Sequence, residues 1–176
     1  MRIKARYAAV VAGALAAMAV PGAAQAGPVE GPAYLRNVGL DGCLTAVGDD
    51  GRRGALVRVK PCDGSFAQLW LMKVLHVDAD DQPVFTIRKS GWECLELIGE
   101  ELPDSGRLAL RDCDEGNPYQ VFRASTTDWS APVWRVSGPL PGAWLRAYHE
   151  HEAPYVAADD ERPGAFAEWE HLPIGA

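Results

Sequence analysis

The chain is 176 residues long and carries 17 basic against 24 acidic side chains, a formal net charge of −7 at pH 7. That length suits one domain with a real hydrophobic core. The acidic balance disfavours nucleic acid and anionic membrane surfaces as partners and favours plain solubility.

Residues 1–26 read as a leader outside the fold. Arg2, Lys4 and Arg6 form a basic start, residues 8–20 an apolar stretch short of a comfortable membrane span, and Ala24-Gln25-Ala26 a small-x-small cleavage site. We therefore expect a secreted, extracellular protein, exported by the general secretory route and free of the membrane once the leader is removed. No Arg-Arg pair supports a twin-arginine route, and no cysteine follows the cleavage site to carry a lipid. The alanine-rich segment suggests a bacterial exporter. Residues 27–176 are then one domain holding 14 basic and 24 acidic side chains.

Short β-rich segments recur between turn residues through this domain, the pattern of an all-β fold. The first set is expected at 34–37, 43–47, 56–60 and 69–74. The second is expected at 84–88, 94–98, 108–111 and 120–124, and the third at 133–137, 144–148, 155–158 and 168–172. Turn chemistry separates them: Gly39-Leu40-Asp41-Gly42, Asp78-Ala79-Asp80-Asp81 and Pro139-Leu140-Pro141-Gly142 are examples.

The sets are copies of one unit. Cys43 and Cys62 lie 19 positions apart, as do Cys94 and Cys113, and the second pair follows the first by 51. Gln68-Leu69-Trp70 closes the first unit and Gln120-Val121-Phe122 the second, 52 residues later. The third unit has no cysteines; Trp144 stands where the first would be, and Trp169 closes it. The repeats span about 33–82, 83–131 and 132–176. Trp70, Phe122 and Trp169 should share one role, packed about a pseudo-threefold axis.

Four cysteines in an exported chain read as two disulfides. Three pairings are possible, and the repeat selects Cys43–Cys62 and Cys94–Cys113, each inside its own unit. A zinc site would need partners with two to four residues between them, and these have eighteen.

These features resemble the ricin-type β-trefoil lectins. The resemblance rests on Cys43-Leu44 and Cys94-Leu95, on Pro61-Cys62-Asp63 and Arg111-Asp112-Cys113-Asp114, and on the Gln-x-Trp motif at Gln68–Trp70 with its Phe variant at Gln120–Phe122. It covers the whole domain as three units, the third being degenerate with Ala167-Glu168-Trp169. It implies a twelve-stranded β-trefoil, a barrel capped by hairpins, with up to three shallow sugar sites and no catalytic activity. A working site of that family resembles an aspartate two residues after the first cysteine, an aromatic platform two before the second, and an Asn-Gln pair in the closing motif. Unit one has Thr45, Lys60, Ala67 and Gln68 there. Unit two has Glu96, Arg111, Tyr119 and Gln120, and unit three has Arg146 at the acid position. The pockets are thus degenerate, and unit two is the candidate carbohydrate site, with Trp92 in the turn Gly91-Trp92-Glu93 as a further platform. Gln68 and Gln120 are also read as scaffold residues, bonding to backbone.

No other constellation points to chemistry. His149 and His151 could share a strand face, yet the spacing is that of a solvated hairpin rather than a metal motif. Asp49-Asp50, Asp78/Asp80/Asp81 and Asp159-Asp160-Glu161 lack the spacing of a calcium loop and read as acidic turns. Nucleophile-elbow and phosphate-loop motifs are missing, and disulfides leave no thiol nucleophile. We expect no metal, no cofactor and no enzyme. Two functions remain: a secreted carbohydrate-binding module acting on a glycan or cell-wall polysaccharide, or a protein-binding trefoil such as a secreted protease inhibitor. The inhibitor would present the loop 49–54, with Arg52-Arg53 at its tip.

Overall fold

In this computed structural model the described residues are 31–48, 54–89, 92–98, 106–125, 133–138, 144–150, 153–159 and 164–174. The leader expected at 1–26, the Arg52-Arg53 tip, the Asp49-Asp50 pair and His151 lie outside them.

Twelve strands form, as the alternation anticipates: β1 (Gly31–Asn37), β2 (Gly42–Val47), β3 (Leu56–Lys60), β4 (Leu69–Val77), β5 (Pro83–Arg88), β6 (Glu93–Ile98), β7 (Gly106–Asp112), β8 (Phe122–Ser125), β9 (Val133–Ser137), β10 (Trp144–Glu150), β11 (Ala153–Asp159) and β12 (Glu168–Pro173). One boundary moves. The strand expected from 120 begins at Phe122, because Gln120 completes a 3-10 turn, Pro118–Gln120. The same turn precedes β4 at Phe66–Gln68 and β12 at Ala165–Ala167.

Six strands close a ring. β1 pairs with β4, β4 with β5, β5 with β8, β8 with β9, β9 with β12, and β12 with β1, all antiparallel. The other six form three hairpins, β2–β3, β6–β7 and β10–β11. These cap one end of the barrel and join one another through Leu56 with Ala109, Arg107 with Ala157, and Tyr155 with Arg58. The three junctions are equivalent under a threefold rotation. This is the β-trefoil expected from the repeat, and closing the ring removes the barrel's exposed edges. The three units become lobes: β1–β4, β5–β8 and β9–β12.

One hydrophobic core runs along the axis. Leu44, Leu95 and Leu145, each following the first cysteine or its Trp144 counterpart, are buried, as are Trp70, Phe122 and Trp169. The indole of Trp70 donates to the Leu44 carbonyl at 2.8 Å and that of Trp169 to Leu145 at 2.9 Å. Phe122 fills the same place with no donor to offer. Removing one such ring costs about 3–5 kcal/mol. Trp134 stacks on the buried His171 ring, centroids 5.1 Å apart, and burial pushes the His171 imidazole below its usual range. The disulfides pair as expected, Cys43 with Cys62 and Cys94 with Cys113, at 4.9 Å between Cα atoms in both.

Seams between lobes carry specific bonds. The Asn37 amide donates to the Phe166 carbonyl (2.9 Å) and the Glu168 carbonyl (3.3 Å), so lobe one grips the 3-10 turn of lobe three. A Cβ on Gly39 would come within 2.8 Å of the Phe166 backbone nitrogen, so only glycine permits that approach. At the next seam Lys89, which is 1% exposed, donates to the Leu69 carbonyl at 2.8 Å and to that of Phe66. Its ammonium lies 4.8 Å from the Phe66 ring centroid and 5.0 Å from that of Trp70. Asn37 and Lys89 thus do one job with different chemistry.

Candidate functional site

In each lobe the expected site falls between the cap hairpin and the 3-10 turn. In lobe one the Gln68 amide spans the gap. The Asp63 N–H donates to its Oε1 at 2.9 Å, while its Nε2 donates to the Pro61 carbonyl at 2.8 Å and to Thr45 Oγ1 at 3.1 Å. Thr45 donates onward to the Cys43 carbonyl at 2.8 Å. All of these groups face protein, and Thr45 and Gln68 are both buried. Lys60, in the platform position, is exposed at the end of β3.

Lobe two repeats the backbone bonds: the Asp114 N–H donates to Gln120 Oε1 at 2.8 Å, and Gln120 Nε2 donates to the Asp112 carbonyl at 2.9 Å. The third bond differs. Gln120 Nε2 donates to Glu96 Oε2 at 2.7 Å, and Asn117 Nδ2 donates to the same oxygen at 3.0 Å. Asn117 is itself fixed as the cap of the 3-10 turn, its Oδ1 accepting from the Tyr119 N–H at 3.0 Å. The carboxylate is therefore oriented by two amides on one oxygen. Its other oxygen, Oε1, has no hydrogen-bond partner among the described residues, and Glu96 is only partly buried. A fixed carboxylate with a free oxygen can accept from a ligand hydroxyl or cation.

The other lobe-two candidates are placed as follows. Arg111 pairs with Cys94 across the hairpin, the next pair on the same face being Glu96 with Ala109. Its Nη1 donates to the Leu110 carbonyl at 2.9 Å, and the side chain is partly buried. Tyr119 packs against the core cluster from the turn. Trp92 is 86% exposed, and its carbonyl accepts from the Cys113 N–H at 2.7 Å, extending the β6–β7 ladder by one step. It stands just before the first residue of β6, four positions ahead of Glu96. Glu96, Gln120 and Asn117 are thus brought together, Arg111 and Tyr119 border them, and Trp92 is set apart.

Lobe three keeps the turn and loses the amide. Ala167 is buried where Gln68 and Gln120 stand, and Arg146 is partly buried at the acid position. Among the described residues no three His, Cys, Asp or Glu side chains gather as metal ligands. Asp78 spends one carboxylate oxygen on its own turn, accepting from the Asp80 N–H at 3.0 Å and the Gln82 N–H at 2.9 Å, and the other on Arg123 at 3.4 Å.

Two residues escape the reading from sequence. Asn117 was signalled only by Asn-Pro, a turn dipeptide. Lys89 looks like any surface lysine until the lobes close over it.

No family model matches the chain, and no curated protein matches it. Solved structures share its fold. An exo-β-1,3-galactanase from Clostridium thermocellum is 16% identical with a TM-score of 0.66, over 84% of this chain and 31% of that one. The BEL β-trefoil is 15% identical with a TM-score of 0.62, over 84% of this chain and 97% of that one. SeviL, solved bound to asialo-GM1 saccharide, is 12% identical with a TM-score of 0.58, over 83% of this chain and 99% of that one.

Proposed function

We propose that this chain is a secreted, non-catalytic carbohydrate-binding module of the ricin-type β-trefoil kind, with its working site in lobe two. One observation carries the reading: the Glu96 carboxylate is held by Asn117 and Gln120 through one oxygen and offers the other outward. Sugar hydroxyls donate to such an oxygen, while Arg111 supplies donors from the neighbouring strand position. Support comes from the saccharide-bound SeviL, whose fold this chain shares, and from the galactanase, to 31% of whose chain it is similar. The two disulfides suit an oxidising compartment.

The test is a broad glycan array, including bacterial and fungal wall polysaccharides, probed with the disulfide-bonded chain and with Glu96→Ala. A reproducible signal lost in the variant is the expected result. A signal unchanged by Glu96→Ala removes lobe two as the site, and a blank array removes the lectin reading.

A second reading, a protein-binding trefoil such as a protease inhibitor, draws on Trp92, which is 86% exposed and, among the described residues, bonded through its backbone only. Such a ring makes an anchor for a protein partner. Inhibition of a secreted protease that Trp92→Ala abolishes, with a blank glycan array, is what this reading requires.

A further inference from the structure

Most cations on the barrel surface are already paired. Arg36 meets Asp41 and Glu170, Lys73 and Arg88 share Glu115, Arg123 meets Asp78 at 3.4 Å, and Arg135 meets Glu168 at 2.9 Å. The cap is different. On β3 and β7 the core-facing positions are Val57, Val59, Leu108 and Leu110, so the alternate residues Arg58, Lys60, Arg107 and Arg111 turn outward. None of these four has an ion-pair partner among the described residues.

The two strands are neighbours. Leu56 pairs with Ala109, and the Gly54 and Leu110 N–H groups bond across to Leu110 and Ala55 at 2.8 and 2.9 Å. On one side of this pair Arg111 lies opposite Gly54; on the other β11 enters, pairing Tyr155 with Arg58 and Ala157 with Arg107, so these two arginines flank the junction of the three hairpins and Lys60 follows Arg58 along β3. Alternate residues on a strand lie about 7 Å apart, so the seam is a track of positive charge rather than a point. Among the described residues two carboxylates border it. Glu96 is bonded to Asn117 and Gln120, and Asp63 accepts from the Ser65 N–H at 2.8 Å. A local excess of cations in a chain of net charge −7 is a departure from the surface average.

We propose that the β3–β7 seam binds a linear glycan bearing acid groups, carboxylate or sulfate, beside the lobe-two site; this rests on the lectin reading above. The guanidinium forks of Arg58 and Arg107 take the acid groups in pairs of N–H···O bonds, and Lys60 and Arg111 extend the track at its ends. Recognition by charge explains why the ring platforms can be absent: Lys60 and Arg111 occupy those positions in lobes one and two.

The test measures binding of the disulfide-bonded chain at low salt to polygalacturonate, heparin, a neutral galactan and single-stranded DNA. Binding to polygalacturonate or to heparin is expected, and which of the two binds identifies the acid group as carboxylate or sulfate. Arg58→Ser with Arg107→Ser should weaken it about a hundredfold, two charge-assisted contacts being lost. Arg58→Lys with Arg107→Lys, which keeps both charges and loses the forks, should bind between the wild type and the double serine variant and guards against a folding defect. Glu96→Gln should leave acidic-glycan binding in place while removing any neutral-sugar signal, which separates failure of this proposal from failure of the lobe-two site. Unchanged affinity in the double serine variant, no binding to either acidic polymer, or equal binding to single-stranded DNA overturns the proposal.

Discussion

Lys89 makes a demand that can be measured. Burial pulls its ammonium down to about 8, with the nearby Glu93 charge acting the other way. An unfolded lysine titrates near 10.4. The folded value is the lower one, so between the two the unfolded chain holds the extra proton and stability rises with pH. The bonds to the Phe66 and Leu69 carbonyls survive deprotonation, because a neutral amine still has two N–H donors. From pH 7 to 9.5 the linkage relation gives a gain of about 2 kcal/mol from this one group. Lys89→Met keeps the length of the side chain and removes the proton. Urea unfolding of both proteins across that range, at constant ionic strength, should show the wild type gaining about 2 kcal/mol on the variant. Parallel curves would refute the argument, since they would mean that the ammonium is hydrated at the seam and never desolvated.

Two other outcomes test the scaffold. Gln68→Ala strands the Asp63 N–H and the Pro61 carbonyl, and should cost about 2–4 kcal/mol in denaturant unfolding while leaving any lobe-two glycan binding intact. His171 has its pKa lowered by burial against Trp134, so its stabilising contribution belongs to the neutral form and is lost as pH falls through and below about 6.5. Thermal midpoints at pH 7.5 and 5.5 should therefore differ less for His171→Leu than for the wild type.

Much of this architecture is legible before folding because it is written locally. Strand alternation depends on neighbours two residues apart, and the cysteine pairs lie 19 apart within single hairpins. The spacing of Trp70, Phe122 and Trp169 from the first-cysteine positions marks the threefold repeat for the same reason. The seams are illegible because their partners are remote. Asn37 reaches a carbonyl 129 residues away, and Lys89 reaches backward across a lobe boundary to a turn whose carbonyls carry no sequence signature. The Glu96 site is half legible. The carboxylate stands at the expected place after Cys94, but its orientation depends on Asn117, 21 residues on, in a turn that sequence marks only as a turn.

The Gln-x-aromatic motif is a poor gauge of sugar binding here. In lobes one and two the glutamine spends its amide on the same backbone groups, whether the third partner is the buried Thr45 hydroxyl or the Glu96 carboxylate. Its presence therefore reports the turn, not the ligand. Lobe three shows that even the turn does not depend on it. With Ala167 in place of glutamine, the 3-10 segment Ala165–Ala167 still forms, the Ala167 N–H bonding to the Gly164 carbonyl at 2.7 Å. Asn37 holds it from the neighbouring lobe through the Phe166 and Glu168 carbonyls. Lobe one has both supports, Gln68 within and Lys89 across the seam. With the scaffold supported from two sides, the position two residues after the first cysteine is left to vary: Thr45, Glu96 and Arg146 are a neutral, a negative and a positive answer on one frame. On the carbohydrate-binding reading proposed above, the three lobes should then differ in ligand charge preference rather than in fold, with that position and the outward faces of β3 and β7 as the determinants.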